Sequence, residues 1–307
     1  MKILLKNNQC PGDILMLTAA VRDLKHAHPD IQVNVQTSAM HLWDNNPYLD
    51  RSITDETADR VLKVEYPLIH SSEKPFHFIH GFRMFLEDKL NIKIPQGVFR
   101  PDLHLSAKEK QIHEYVKDVR KPYWILNAGY KTDYTCKGWS VQYFQDVVST
   151  LKDKITFVQV GERNKNHIHP KLDNVVDLIG KTSLRDMVQL MYHAKGVLSG
   201  VSFPMHLAAM QTPYNHLRHG VILAGGREPI HWECYPGMTF LGGTGMYDCC
   251  KNGACWKSRV VKLNDGDDKD KSICLHPYTM PDKQIIPFCL ADISVKDVVH
   301  AIERYRI

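Results

Sequence analysis

The residues best suited to chemistry sit at turns between apolar runs. Asp13 follows Pro11-Gly12 and opens an apolar helix. An aspartate at such a turn can take a proton from a hydroxyl, and its plainer reading is a helix N-cap. Gly196 to Gln211 reads as a buried strand, a tight turn and a helix with Pro204 in its first turn. Proline suits that position because the first N–H groups of a helix lack intrahelical partners. Ser202 is placed to cap the helix, and the free N–H groups and positive dipole end suit a phosphate. The plainer reading is an ordinary strand-to-helix connection. Gly161-Glu162 and Gly225-Gly226-Arg227-Glu228 close two further strands, and Lys137 lies in a loop rich in Lys and Thr.

Five of the eight cysteines fall between 249 and 289. Cys250 and Cys255 form a knuckle with Gly253 inside, where glycine permits a positive φ. Cys274 and Cys289 complete a tetrahedral thiolate set for zinc or iron, and Cys249 can stand in for Cys250. Such a set leaves no open coordination position, so the expected role is structural. The plainer reading is a group of buried thiols. The polar loop 264–271 inside this region is one that a packed core would not hold, and a metal clip would.

The elements that position these residues alternate strand and helix. Residues 2–6, 13–24 and 31–35 read as strand, helix and strand, which predicts a parallel sheet with Gly12-Asp13 at a strand's carboxyl end. Residues 36–70 are mixed, with a strand over 60–64. Helices are predicted over 76–90 and 107–119. A second alternating series begins after Lys121-Pro122, with strands at 123–128, 155–160 and 175–178, at the start of 196–211, and at 220–224. Ser140 and Thr182 or Ser183 cap its helices. The pattern predicts two α/β domains, 1–119 and 120–307, facing a cleft, with the Cys-rich finger at about 249–289.

The chain has 307 residues and a net charge of +5, ordinary for a globular protein and mild for a nucleic-acid binder. No apolar run approaches the ~20 residues that span a bilayer. Pro11-Gly12-Asp13 interrupts what would otherwise read as a leader segment. The expected compartment is cytoplasmic, where thiols stay reduced.

Several stretches together resemble glycosyltransferase family 9, the ADP-heptose:lipopolysaccharide heptosyltransferases. Pro11 to Val21 is similar to that family's first-loop Gly-Asp helix. Leu126 to Gly129 with Lys137-Gly138-Trp139 resembles its GA…K-x-W strand and loop, and Val160-Gly161-Glu162 its next Gly-Glu turn. Ser202 to Ala208 resembles the DTG-x-x-HLA phosphate turn, with Val201-Ser202-Phe203 in place of Asp-Thr-Gly. The tail Cys249 to Lys257 resembles a branch with a metal-binding finger, as in the iron-containing protein heptosyltransferases.

The resemblance implies a GT-B fold of two Rossmann-like domains, acceptor in the first and donor in the second. In that fold the last helix, here 294–306, often crosses back onto the first domain. It implies an inverting glycosyltransferase without a catalytic metal, moving heptose or another sugar from a nucleotide diphosphate-sugar. Asp13 would be the general base, Gly12 an acceptor contact, and Lys137, Gly161, Glu162, Ser202, Phe203, His206 and Glu228 donor contacts. The plainer readings are a loop lysine, a core histidine and a loop glutamate. Two alternatives stay open: a modified DNA base or protein side chain as acceptor, and a non-catalytic nucleotide-sugar-binding protein. A homo-oligomer is compatible with either.

Overall fold

The computed structural model describes residues 1–64, 75–214 and 216–306. The end of the mixed stretch 36–70 lies outside the described residues. The first series runs β1 (Lys2–Asn7), α1 (Pro11–Ala27), β2 (Gln32–Thr37), β3 (Arg60–Lys63) and α2 (Ile79–Leu90). Its three strands form a parallel sheet in the order β2-β1-β3. β1 is central because Ile3, Leu4 and Leu5 are all fully buried, as a strand covered on both faces requires.

The second series runs β4 (Tyr123–Asn127), β5 (Tyr130–Lys131), α3 (Val141–Leu151), β6 (Thr156–Gln159), β7 (His167–Ile168), β8 (Val175–Asp177) and α4 (Leu184–His193). It continues with β9 (Gly196–Gly200), α5 (Phe203–Ala208), β10 (His219–Leu223), α6 (Ile230–Glu233) and β11 (Met238–Leu241). Then come β12 (Pro277–Thr279), β13 (Ile285–Pro287), α7 (Phe288–Ala291) and α8 (Val295–Glu303). Six of these strands make a parallel sheet, β11-β10-β9-β4-β6-β8.

The strands of this sheet divide their side chains between two cores with period two. On β4, Tyr123 and Ile125 face one core while Trp124 and Leu126 face the other. Val147, Val148 and Leu151 of α3 and Val298, Ala301 and Ile302 of α8 cover the second face. Met187, Val188 and Leu190 of α4 and Met205 and Leu207 of α5 cover the first. That first core is continuous with the core of the three-stranded sheet, so one apolar cluster spans both halves. Each large side chain so buried contributes about 1.5–3 kcal/mol.

Predicted caps at Ser140 and Ser183 are present: each hydroxyl accepts a backbone N–H, from Tyr143 and Asp186, at 3.3 and 3.1 Å. Three expectations are corrected. The final helix packs on α3 and β10, the sheet from which its own segment departs, and its apolar face joins that sheet's outer core. The predicted helix over 107–119 is a set of turns and a short 3-10 segment, Glu114–Val116. Glu109 accepts the Ser106 N–H and hydroxyl, each at 2.8 Å, and also pairs with Arg185 of α4 at 2.5 Å, while further along His113 accepts the Tyr115 N–H at 3.1 Å. The acidic loop 264–271 needs no metal to hold it. Arg259, with its side chain 1% exposed, binds Asp265 at 2.8 Å and Asp270 at 2.5 Å.

Candidate active site

Both large sheets are parallel, and the segments after β1, β4 and β9 leave from strand carboxyl ends, where open α/β sheets bind ligands. In the larger sheet the order reverses between β4 and β9, because β4 leads outward to β6 and β8 before the chain returns to β9. The segment after β4 carries Lys137, and the turn after β9 carries Ser202.

Lys137 ends a 3-10 segment, Thr132–Lys137. Its Nζ donates to the Val201 carbonyl at 3.1 Å and pairs with Glu228 Oε1 at 2.7 Å. Glu228 is buried and also pairs with Arg227. Arg227 is fixed in turn: its Nε donates to the Lys257 carbonyl at 2.7 Å, and its guanidinium lies 5.0 Å from the Tyr134 ring centroid. Beyond the lysine, Trp139 is fully buried and its Nε1 donates to the Leu290 and Ile293 carbonyls, each at 3.1 Å. The tryptophan of the K-x-W pattern is thus an anchor for the loop. Where the family pattern has aspartate, buried Val201 offers its carbonyl, and Glu228 supplies the negative partner.

Across from this pair, α1 brings Asp13 and Gly12. The Asp13 carboxylate accepts the Cys10 N–H at 3.0 Å; Cys10 is the N-cap and Asp13 is the third helical residue bonded back to it, so the plainer N-cap reading is corrected. Gly12 lies where α1 packs tightly on α5: a Cβ there would lie 3.0 Å from His206 Cδ2. This close packing accounts for the glycine, which the sequence reading assigned to acceptor contact.

His206 is buried inside the seam between the halves. Its Nδ1 is 3.0 Å from the Tyr235 hydroxyl, and its Nε2 stands 3.2 Å from Glu233 Oε2, off the line of a hydrogen bond. Burial, with the charges of His77 and Lys137 behind it, lowers its pKa to about 3. Burial raises the Glu233 carboxyl well above its usual range, and Glu228 adds to the rise. Both shifts run toward the neutral forms. The Tyr235 hydroxyl donates to the Met16 sulfur at 2.8 Å, linking the pair to α1. His77, lowered to about 3 by burial, packs edge-on against Tyr235 with ring centroids 4.6 Å apart. Glu233 responds electrostatically to Glu228, Lys137, Asp13 and Arg227, which places all of them in one neighbourhood.

Other predicted residues behave differently. Ser202 occupies the N-cap position of α5, but its hydroxyl donates back to the Gly200 carbonyl at 3.2 Å and caps nothing. α5 has only six residues, so its dipole end is weak. Phe203 is half-buried at its first position. Glu162 is turned to solvent, 3.8 Å from His167, and Gly161 is required by the ring of His169, which a Cβ would overlap. Arg227, Glu233 and Tyr235 were missed, since none lies on a periodic apolar face.

The cysteines gather, with one exchange. Cys249, Cys255, Cys274 and Cys289 line a single cavity together with Cys136, Arg227 and Tyr247. Cys250 is buried on the other side of its turn, 3.4 Å from the Gly243 carbonyl, so Cys249 takes its expected place. Among the described residues no group of three or more His, Cys, Asp or Glu side chains is already gathered to hold a metal ion. The donors are of the type that zinc or iron prefers. The Cys136 thiol lies beside that of Cys274, whose influence helps raise its pKa. Its position directly before Lys137 was the signal available in the sequence.

Among the described residues no helix is long and apolar enough to cross a membrane. Comparison with known proteins gives consistent results. The model of glycosyltransferase family 9 (heptosyltransferase) matches residues 51–214, more than half of the chain. No curated protein sequence matches. A family 9 glycosyltransferase from Veillonella parvula superposes with a TM-score of 0.66 at 13% identity, over 99% of this chain and 96% of that one. E. coli ADP-heptose LPS heptosyltransferase II gives 0.66 at 15% identity, over 99% and 98%. TibC, a bacterial iron-containing dodecameric glycosyltransferase from enterotoxigenic E. coli, gives 0.63 at 14%, over 99% and 78%. These likenesses establish the GT-B heptosyltransferase architecture, and with the family match they make this chain a member of glycosyltransferase family 9.

Proposed function

We propose that this glycosyltransferase moves a sugar, heptose or a close relative, from a nucleotide diphosphate-sugar to an acceptor hydroxyl with inversion. The observation that carries the reading is Lys137, held by Glu228 and the Val201 carbonyl at the sheet's reversal point, with Asp13 and Lys137 both acting electrostatically on buried Glu233. Asp13 takes the acceptor proton as the hydroxyl oxygen bonds to the anomeric carbon. The glycosyl–phosphate bond breaks on the opposite face, and the departing diphosphate meets the Lys137 ammonium. Ser202 and Phe203 line the diphosphate's turn. His206 serves as a positioning residue, because its ring nitrogens face Tyr235 and Glu233. Residues 1–119 present the acceptor and 120–307 the donor. TibC has been solved with ADP-D-beta-D-heptose, which makes an ADP-sugar the first donor to test.

The thiol cavity is proposed as a structural site for zinc or iron, with Cys249, Cys255, Cys274 and Cys289 as ligands. Its support is the donor chemistry and the iron-containing neighbour.

The test is equilibrium binding of ADP, UDP, GDP and their sugars, followed by transfer assays on wild type and Asp13→Asn. The expected result is selective binding of one nucleotide, with binding retained and turnover lost in Asp13→Asn. Full turnover in that variant removes Asp13 as base. Absence of binding by any nucleotide overturns the reading.

A further inference from the structure

We propose that Lys269, carried by the acidic loop 264–271, is a further donor-binding residue that meets the phosphates of the nucleotide diphosphate-sugar together with Lys137. This rests on the transferase reading above. The Lys269 ammonium lies 5.6 Å from the centroid of the Tyr134 ring. Lys137 Nζ stands 5.8 Å from the same centroid, and the Arg227 guanidinium 5.0 Å. Three cations from three separate segments therefore converge on one half-buried side chain. A ring face attracts a cation within about 6 Å, so Tyr134 is what gathers them. Tyr134 belongs to the Thr132–Lys137 segment that follows β4, at the reversal point of the larger sheet.

The three charges are not equally compensated. Glu228 pairs with both Lys137 and Arg227, and the nearby Lys131 pairs with Asp133 at 3.4 Å. Lys269 makes no ion pair among the described residues, although four aspartates flank it in its own loop. Those four are committed elsewhere. Asp265, Asp267 and Asp270 pair with Arg259 at 2.8, 3.7 and 2.5 Å, and Asp268 pairs with Lys271 at 2.6 Å. The Asp267 carboxylate accepts the Lys269 backbone N–H at 2.8 Å, which fixes where Lys269 leaves the loop. Arg259 thus holds the acidic groups and leaves the Lys269 charge for Tyr134 and its surroundings. Three cations around one ring repel one another, and Glu228 offsets them only in part. A doubly charged anion such as the diphosphate relieves the remainder through charge-assisted hydrogen bonds. The loop thereby gains a role that needs no metal: it delivers a cation to the donor site.

The experiment is calorimetric titration of the full chain with ADP and with ADP-D-beta-D-heptose, the ligand solved with TibC, or with UDP or GDP and its sugar where the wild type selects that nucleotide. Lys269→Ala is expected to weaken the diphosphate and its sugar alike, by about tenfold, because the lost contact is to phosphate. Its melting temperature is expected to match wild type. Lys269→Arg keeps the charge and is expected to retain most of the affinity. Lys271→Ala, in the same loop but paired with Asp268, is expected to bind as wild type. Undiminished affinity in Lys269→Ala overturns the proposal and leaves the transferase reading standing. Loss for the nucleotide-sugar alone overturns it too, since the contact would then be to sugar. An equal loss in Lys271→Ala overturns it in favour of loop integrity. Failure of the wild type to bind any of the three nucleotides overturns it together with the transferase reading.

Discussion

The two walls of the candidate site are built on opposite principles. One wall, Lys137, Glu228 and Arg227, is charged, and its lysine is 27% exposed at the side chain. The other, His206, Glu233, Tyr235 and His77, is buried and holds its titratable groups in their neutral forms. Charge is kept where a diphosphate would need it. It is suppressed where the halves must pack without the desolvation cost of buried ions. The charged wall should therefore answer to ligand affinity, and the neutral wall to stability.

Lys137→Ala tests the first half of that contrast and has the largest expected effect: a loss of about 100-fold or more in kcat/KM, or roughly 3 kcal/mol of transition-state stabilisation. Its melting temperature should change little by comparison. Equal losses in both would erase the distinction between the walls. Glu233→Leu probes the other side. Replacing a buried, nearly unpartnered carboxyl with an apolar group should leave stability equal or higher, read from chemical denaturation.

Tyr235→Phe should cost about 1–3 kcal/mol, since it removes the hydroxyl that satisfies His206 Nδ1 and reaches Met16. The pH dependence sharpens the same point. His206 and His77 have folded pKa values of about 3, below the ordinary 6.5. The unfolded chain thus binds more protons below pH 6.5, and stability falls as pH drops from there toward 3. Glu233 is raised, so its contribution runs the other way: stability falls as pH rises above 4.5 toward its folded pKa. Thermal melts should therefore lose stability as pH falls from 6.5 toward 3, and Glu233→Gln should remove the opposing loss that sets in as pH rises above 4.5. The smallest effect is expected from Gly12→Ala. Crowding of His206 costs about 1 kcal/mol, partly offset by the better helix propensity of alanine.

Legibility in the sequence followed the same division. The parallel strands were readable because both faces are buried, leaving continuous apolar runs such as Ile3 to Leu5 and Tyr123 to Leu126. Lys137, Glu228 and Asp13 were readable because they follow such runs, at strand ends where ligands bind. Glu233 and Tyr235 were not, because α6 is only four residues long and carries no period. The helix expected over 107–119 is replaced by turns, although Ser106 and Glu109 keep their local bonds; Glu109 also pairs with Arg185 across the seam, and its pKa falls to about 2. The finger's cysteines were visible as a cluster, but Cys136, more than a hundred residues earlier, could reach them only through the fold.

The contact of Gly12 with His206 also sets the spacing of the two halves beside Asp13. A Cβ at Gly12 would meet His206 Cδ2 at 3.0 Å, and the His206 ring is itself held by the Tyr235 hydroxyl at 3.0 Å. The glycine therefore acts as a spacer: the gap between α1 and α5 here is set by the absence of a side chain, and a residue larger than alanine would wedge the halves apart.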